Sequence, residues 1–259
     1  MPNGTVHLDV VDAIATVTLA RPERLNAMSV DLMCDLLTAI ETAVGNRAVR
    51  VLVLTGSGRG FCSGADLIDP DLGDVSESMD TVFHPVMRAL IESPIPTVAR
   101  VNGVAAGGGV GLALACDITI AARSASFVAT FGPRLGIVPD LGTTWSLPRR
   151  VGRARALGMA ILGDRIDASQ AEEWGLVFRT VDDAGLDDEV ARVTSALSRT
   201  SAEAVVRIRE SIDSSTDNTF SEQLDLERDH QVVLIPMNMG EGVKAFTEKR
   251  EPDFGERRS

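Results

Sequence analysis

The sequence predicts an α/β fold whose C-terminal part is helical. Up to Gly142, short runs of β-branched and apolar residues alternate with segments of helical apolar spacing, which is typical of a layered α/β domain. Beyond Gly142, the 3.6-residue spacing dominates. No low-complexity linker interrupts the chain. We therefore expect one compact unit, with an α/β core over residues 1–195 and a helical region over residues 196–259.

The strands and helices of the core are predicted in chain order. "TVHLDVVD" and "AIATVTLA" are rich in β-branched residues and predict a strand pair that turns near Val11–Ala13. "SVDLMCDLLTAIETAV" has helical apolar spacing, and Ser29 or Asp31 is suited to cap it. A helix around Asp80–Glu92 separates two buried strands, "VRVLVLTG" and "PTVARVNG". Further short strands are predicted in "CDITIAA", "SFVA" and "GLVFRTVDD".

Two helix starts are predicted in the C-terminal region. Thr200 with Glu203, and Thr219 with Glu222, have the spacing of capping boxes. Each pair therefore predicts the first turn of a helix.

Composition and charge argue against several classes of protein. With 44% hydrophobic and 24% charged residues, the chain has the composition of an ordinary soluble globular protein. The net charge of −12 argues against nucleic acid or an anionic membrane as the main partner. The N-terminus lacks the features of a signal peptide, and no apolar run reaches membrane-spanning length. The three cysteines predict free thiols in a reducing cytoplasm.

Familiar nucleotide, metal and hydrolase motifs are missing from the sequence. There is no G-x-x-x-x-G-K-[ST] and no G-x-S-x-G. The three histidines are far apart and no paired C-x-x-C occurs, so a zinc site is not expected. The "GGG" triplet suggests a dinucleotide loop only weakly, because Leu112 stands where the third glycine of G-x-G-x-x-G belongs.

Two glycine-containing turns each follow a predicted buried strand. The first spans residues 55–67, "TGSGRGFCSGADL", and the second spans residues 101–117, "VNGVAAGGGVGLALACD". Glycine lets a ligand approach the backbone, and a helix N-terminus exposes unpaired N–H groups. Two such groups that converge would form an oxyanion hole. The residues alone fit equally well a pair of tight turns packed together.

The only two lysines, Lys244 and Lys249, lie near Phe246 in "EGVKAFTEKR". On the pattern alone, this is the solvated end of a helix, where cations are favoured by the dipole. A local basic site for an anionic ligand is the alternative, since nearby groups can override the global negative charge.

Five ordered motifs resemble the enoyl-CoA hydratase/isomerase (crotonase) family. They are "RPERLNAMS", "GRGFCSGADL", "VNGVAAGGGVGLALACD", "LGIVPDLGTTWSLPRRVG" and "EGVKAFTEKREPDF". The resemblance implies a crotonase-like spiral of ββα repeats with a C-terminal helical trimerisation region. It also implies acyl-CoA thioester substrates, a stabilised thioester enolate, no further cofactor, and a homotrimer or a dimer of trimers.

The same resemblance assigns site residues. Ala65 and Gly108 should supply the oxyanion-hole N–H groups. Residues from the first two motifs should line the CoA site, namely Arg24, Leu25, Ala27, Ala65, Asp66 and Leu67. Phe246 and Lys249 should reach CoA from a neighbouring subunit, with the lysine as a cation for its 3′-phosphate.

The sequence departs from the hydratases of this family at two positions. Hydratases carry a glutamate two residues beyond the glycine triplet, where this chain has Gly111. Their second glutamate corresponds to Gly132, or to Arg134 in a shifted alignment. Without either carboxylate, hydration of a 2-enoyl-CoA has no evident acid/base pair.

Asp140 is the remaining candidate for an acid/base group. The "VPD" and "GRARA" strings resemble family isomerases, most closely the ring-epoxide isomerases of phenylacetate degradation, in which a carboxylate shuttles a proton. Burial in an apolar pocket would raise the pKa of such a carboxyl into a useful range. Capping of the following helix is the structural alternative. A second acid could come from the loop that carries Asp69, Asp71, Asp74 and Glu77.

We therefore expect an acyl-CoA isomerase that shifts a double bond, or rearranges a ring, through an oxyanion-stabilised enolate. An enoyl-CoA hydratase, or a catalytically degenerate CoA-binding paralogue, is the alternative.

Overall fold

The computed structural model describes residues 1–68 and 74–255, and its strands form two sheets. Strands β1 (Val6–Val11) and β2 (Ile14–Leu19) pair antiparallel at one edge of the larger sheet. Their turn is formed by Asp12 and Ala13, which have φ values of 48° and 65°. The predicted strand pair and its turn are thus confirmed.

Strand pairs give the core its repeat. Parallel neighbours in the larger sheet are β3 (Val51–Gly56), β5 (Thr97–Val101) and β7 (Ile118–Ala122). A short strand of the smaller sheet follows each of them, namely β4 (Gly60–Cys62), β6 (Val104–Ala106) and β8 (Ser126–Val128). With β9 (Ile166–Asp167) and β10 (Arg179–Val181), the strand orders are β1-β2-β3-β5-β7-β10 and β4-β6-β8-β9. A helical segment follows each pair, so the core is the expected spiral of ββα repeats.

The described residues form nine α-helices, with bounds α1 (Val30–Gly45), α2 (Val75–Ser78), α3 (His84–Ile91), α4 (Gly108–Ala115), α5 (Thr143–Leu162), α6 (Ala168–Glu173), α7 (Leu186–Ser198), α8 (Ala202–Ser214) and α9 (Phe220–Glu248). Two π-helical segments, Met79–Phe83 and Phe131–Leu135, lie before α3 and α5. The helix expected around Asp80–Glu92 is therefore α3 preceded by a π turn. Pro85, near the junction, has no N–H with which to continue a regular α-helix.

The observed helix caps confirm some of the predicted helix starts and correct one. Ser29 caps α1 by accepting the Leu32 N–H, and Thr219 with Glu222 forms a complete capping box. The capping box predicted for Thr200 and Glu203 is wrong. Ser201 is the N-cap of α8, and the Thr200 hydroxyl donates instead to the Ala196 carbonyl of α7 at 3.2 Å. Adjacent hydroxyl residues moved the predicted cap by one position.

The C-terminal helices differ in how much apolar surface they bury. In α9 only His230 and Ala245 are buried, whereas Phe220, Val232 and Phe246 are strongly exposed. The predicted boundary between residues 195 and 196 falls inside α7, and the division stays a prediction. None of the helices in the described ranges is both long and apolar enough to cross a membrane.

One arginine anchors α8 to the core. Arg209 donates to both carboxylate oxygens of Asp117, at 2.6 and 2.8 Å, and to the carbonyls of Ile91 and Ser93 at 3.1 and 2.6 Å. Asp117 also accepts the Thr97 N–H at 2.8 Å, on β5. The guanidinium therefore joins α8 to the end of α3 and to the larger sheet through charge-assisted bonds.

We expect Arg209→Met to lower the free energy of unfolding by about 2 to 4 kcal/mol, because it leaves a partly buried carboxylate and several carbonyls without their donor. Urea unfolding measures this loss. The matched control is Arg228→Met, since among the described residues Arg228 forms ion pairs only with exposed Asp225 and Asp229, and its loss should leave the midpoint unchanged. Equal midpoints for both variants would contradict the anchoring role of Arg209.

Candidate active site

Two glycine turns meet at the junction of the two sheets. Gly64, after β4, has φ 95°, and a Cβ built there would lie 2.9 Å from the Ala106 carbonyl oxygen and 3.4 Å from the Gly107 Cα. Gly107, after β6, has φ 53°. A Cβ at Gly109 would collide with the carbonyl oxygen of Cys62. The turns can approach this closely only because these positions have no side chain.

The first turn directs a backbone N–H group away from its neighbouring strand. Met28 and Ala65 form an isolated parallel bridge. Its hydrogen bonds run from Met28 N–H to the Gly64 carbonyl at 2.8 Å and from Asp66 N–H to the Met28 carbonyl at 3.0 Å. The bridge thus uses the Gly64 carbonyl and the Asp66 N–H, on either side of Ala65. Within the described ranges the Ala65 N–H donates no hydrogen bond, and it points away from the Met28 segment.

The second turn provides a comparable donor. Gly108 is the first residue of α4, so its N–H has no intrahelical acceptor. A Cβ there would lie 2.5 Å from Met28 Cε and 2.7 Å from Leu141 Cδ1, so the ends of these two side chains pack directly against the Gly108 backbone and would have to shift to admit one. The α4 dipole adds partial positive charge at this end.

Ala65 and Gly108 line one cavity of about 300 Å³ together with Asp140. Most of its other walls are apolar, and sequence analysis assigned only Leu67 among them to a site. They include Met79, Phe83, Phe131 and Leu135 from the two π-helical segments, with Met28, Leu67, Val75, Ile137 and Leu141. No motif contains Val75, Met79, Phe83 or Phe131, because apolar side chains in loops and π turns resemble any others in a sequence. π-Helical segments are frequent at functional sites.

Asp140 is half-buried at this cavity. Desolvation raises the pKa of its carboxyl, while its own backbone N–H and the charge of His84 act in the opposite direction. It does not cap the following helix, because the N-cap of α5 is Gly142 and no side chain accepts a bond from the first turn. The capping alternative is therefore wrong. The catalytic role of Asp140 stays a prediction.

The residues predicted to line the CoA site are only partly brought together. Arg24 and Asp66 line an open depression of about 290 Å³, which also contains Arg21. Leu67 lines the apolar cavity instead. Leu25 and Ala27 contribute backbone contacts, with the Leu25 carbonyl accepting the Ser63 N–H at 3.0 Å and the Ala27 carbonyl accepting from Arg21 at 2.7 Å. Sequence analysis missed Arg21.

The C-terminal pair lies elsewhere in the described structure. Lys249 is the C-cap of α9, and Phe246 is 86% exposed. Neither lines the cavity of Asp140 or the depression of Arg21 within this chain. Both are predicted to contact CoA that is bound to a neighbouring subunit, and this stays a prediction.

The acidic loop contributes no second carboxylate among the described residues. Asp69 and Asp71 lie outside the described residues. Asp74 caps α2 by accepting the Glu77 N–H at 2.9 Å, and neither Asp74 nor Glu77 lines the cavity.

Thiol and metal chemistry have little support near the cavity. Cys62 is fully buried, and burial raises the pKa of its thiol to about 12. Among residues 1–68 and 74–255, no cluster of three or more His, Cys, Asp or Glu side chains could hold a metal ion.

The family model described as "Enoyl-CoA hydratase/isomerase" matches residues 9–257. The chain belongs to this family. It is 43% identical over 255 residues to the 1,2-epoxyphenylacetyl-CoA isomerase of Escherichia coli (strain K12), covering 95% of this chain and 96% of that protein. It is 39% identical over 259 residues to a protein named "Probable enoyl-CoA hydratase" from Rhodobacter capsulatus, covering 98% and 99% of the two chains.

Solved structures of the family share the fold. The enoyl-CoA hydratase from Bacillus anthracis superposes with a TM-score of 0.89 at 31% identity, covering 96% of this chain and 98% of that chain. Relatives are thus named for both hydratase and isomerase reactions, so family membership alone leaves the reaction open.

The two glycines that align with the hydratase glutamates, Gly111 and Gly132, have no room for a side chain in this enzyme. A Cβ at Gly111 would lie 2.5 Å from the Leu141 carbonyl oxygen and 3.1 Å from both Leu141 Cβ and Thr143 Oγ1. A Cβ at Gly132 would lie 2.7 Å from the Ala160 carbonyl oxygen on α5, and Gly132 does not line the cavity. Packing, as well as sequence, therefore separates this chain from a two-glutamate site.

We expect Gly111→Glu to gain no hydratase activity and to lower the free energy of unfolding by roughly 2 kcal/mol or more, because the backbone of Leu141 cannot move away without displacing α5. Gly158→Glu is the matched control, since a Cβ at Gly158 meets no atom within 4 Å. Thermal unfolding and crotonyl-CoA hydration measure the two effects. A stable Gly111→Glu variant that hydrates the substrate would contradict the packing argument.

Proposed function

We propose that this enzyme is an acyl-CoA isomerase in which Asp140 moves a proton between two carbons of the acyl group. One observation carries the proposal. Among the described residues, Asp140 is the only acidic side chain lining the apolar cavity that Ala65 and Gly108 also line. A single carboxylate beside two free N–H donors suits a proton shift through an enolate.

In a double-bond shift, the Asp140 carboxylate removes a proton from C2 of a 3-enoyl thioester. The electron pair of the C2–H bond delocalises, and negative charge develops on the thioester oxygen. The N–H groups of Ala65 and Gly108 stabilise that oxyanion. The Asp140 carboxyl then returns the proton to C4, so that the C3–C4 double bond becomes a C2–C3 double bond.

The acyl group that we propose is apolar and unsaturated or cyclic. Phe83 and Phe131 line the cavity, and aromatic walls are suited to flat groups. Similarity to a 1,2-epoxyphenylacetyl-CoA isomerase supports a ring-epoxide thioester as one substrate to test. CoA would be held at the depression lined by Arg21 and Arg24.

We also propose that a neighbouring copy of the chain completes the CoA site with Phe246 and Lys249, in a trimer or a dimer of trimers. The exposure of Phe246 and the apolar surface of α9 support this assembly. A cytoplasmic location is supported by the free thiols of Cys34, Cys62 and Cys116.

Hydration of 2-enoyl-CoA is the second candidate, because relatives carry that name. The packing at Gly111 and Gly132 argues against it. A degenerate CoA-binding paralogue would bind acyl-CoA without turnover of any enoyl-CoA.

We expect Asp140→Asn to reduce kcat for 3-enoyl-CoA isomerisation by at least about 100-fold, because the amide cannot accept and return the proton. The assay follows formation of the conjugated 2-enoyl thioester, and is repeated with 1,2-epoxyphenylacetyl-CoA. Glu77→Gln, an exposed acid on α2, is the control and should retain full activity. An active Asp140→Asn variant would refute the proposal, and an inert wild type that binds acyl-CoA would favour the degenerate paralogue.

We expect the acid limb of kcat/KM to lie above the ordinary aspartate pKa of about 3.9, because burial raises the pKa of Asp140 and the base form is required.

The same shift in the pKa of Asp140 affects stability. A carboxyl whose pKa is higher in the folded state than in the unfolded state destabilises the fold as pH rises through the folded pKa. Asp140→Asn should therefore melt at a higher temperature than wild type at pH 7, with the difference vanishing below the unfolded pKa. A higher melting temperature for wild type than for Asp140→Asn at pH 7 would contradict this prediction.

A further inference from the structure

Arg21 connects the segment of Ala27 and Met28 to the turn that carries Ala65. One guanidinium nitrogen, Nη1, donates to the Ala27 carbonyl at 2.7 Å, and the other, Nη2, donates to the Asp66 carboxylate at 2.9 Å. The side chains of Arg21 and Asp66 are only 19% and 8% exposed. This is a bidentate use of a planar group that a lysine could not reproduce.

The two contacts flank the bridge between Met28 and Ala65 on both strands. Ala27 directly precedes Met28, and Asp66 directly follows Ala65. The bridge itself has two backbone hydrogen bonds, which is little to hold a register. Arg21 adds two more connections across the same pair of segments, so the direction of the Ala65 N–H depends on it.

Arg21 is itself held rigidly from the other side. Its backbone N–H donates to Asn26 Oδ1 at 2.9 Å. Asn26 is fully buried, with φ 56°, and its amide donates to the carbonyls of Ser57, Gly60 and Phe61 at 3.0, 2.9 and 3.1 Å. Through Asn26, these hydrogen bonds fix Arg21 relative to the β3–β4 turn and to β4, which leads into the turn that carries Ala65.

We propose that Arg21 is a positioning residue for catalysis, which fixes the Ala65 N–H in the oxyanion hole by clamping Ala27 and Asp66 across the Met28–Ala65 bridge. This inference rests on the proposed function, because it assigns Ala65 as an oxyanion donor. It differs from a role in CoA binding, which the place of Arg21 at the open depression would by itself suggest.

Asp66 is the natural partner for this clamp. Burial alone would raise the pKa of its carboxyl, but the hydrogen bond and charge of Arg21, with the Ile68 N–H, hold the pKa below its ordinary value. The carboxylate is therefore charged wherever the enzyme is tested near neutral pH, and its bond to Arg21 is charge-assisted.

The experiment compares Arg21→Met, Arg21→Lys and Asp66→Asn with wild type by two readouts. The first is the split between kcat and KM for 3-enoyl-CoA. The second is the red shift in absorbance of a conjugated dienoyl-CoA at saturating enzyme, which reports polarisation of the thioester carbonyl by the N–H donors. Arg47→Met, an exposed arginine without a side-chain hydrogen bond to the described residues, is the control.

We expect Arg21→Met to lower kcat about 10- to 100-fold and to abolish most of the red shift, because a misdirected donor loses transition-state stabilisation. Arg21→Lys should recover part of both, since it can make one of the two contacts. Asp66→Asn should lower kcat and the red shift in the same direction but by less, because its amide oxygen can still accept from Arg21 without charge assistance. The double variant Arg21→Met/Asp66→Asn should be no worse than Arg21→Met, because both substitutions act on one clamp.

Three results would overturn or separate the claims. A raised KM with unchanged kcat and red shift in Arg21→Met would mean that Arg21 only binds CoA. A wild-type red shift without turnover of any enoyl-CoA would refute the proposed isomerase but leave the clamp to be decided by the variants' red shifts. No red shift in wild type would refute the oxyanion hole and the clamp together. Far-UV circular dichroism and melting temperatures show that each variant is folded, and Asp66→Asn tests the clamp if Arg21→Met does not fold.

Discussion

The close backbone approach of two strand-to-helix turns is the constraint on which the site depends. The backbones of Gly64 and Gly107 lie close together, and Gly109 packs against the Cys62 carbonyl. Only this contact lets Ala65, on one turn, and Gly108, on the other, line the same cavity. A Cβ at Gly64 or Gly109 would collide with backbone carbonyl oxygens of the facing segment and would push the two turns apart.

A second constraint links the acid to the same helix. Leu141 has φ 48°, followed by Gly142 at 72°, and a left-handed conformation is costly for a leucine. In return, its side chain packs at Gly108 and its carbonyl at Gly111, while Asp140 next to it lines the cavity. The left-handed turn at Leu141 thus both packs against Gly111 and places Asp140 at the cavity. The leucine occupies the space that a side chain on α4 would need.

Sequence patterns predicted the strands of the core better than the site. Buried strands such as β3, whose residues are all buried, leave an unmistakable apolar run. The glycine turns fitted two interpretations, because closeness between residues 64 and 107 arises only in the folded chain. Arg21 was missed for the same reason, since its partner Asp66 is far away in sequence. The cap at Ser201 was misplaced because Thr200 offers equivalent chemistry one residue earlier.

Under the proposed function, the number of carboxylates decides the fate of the proton. Two acids at one site can activate and position a water molecule, so that a proton and a hydroxyl add to different carbons. A single carboxyl in a cavity with apolar walls has no such partner among the described residues. It must return the proton that it took, and desolvation, which raises its pKa, makes the protonated intermediate form less costly. Isomerisation then follows from the missing second carboxylate, among the described residues, as much as from what Asp140 provides.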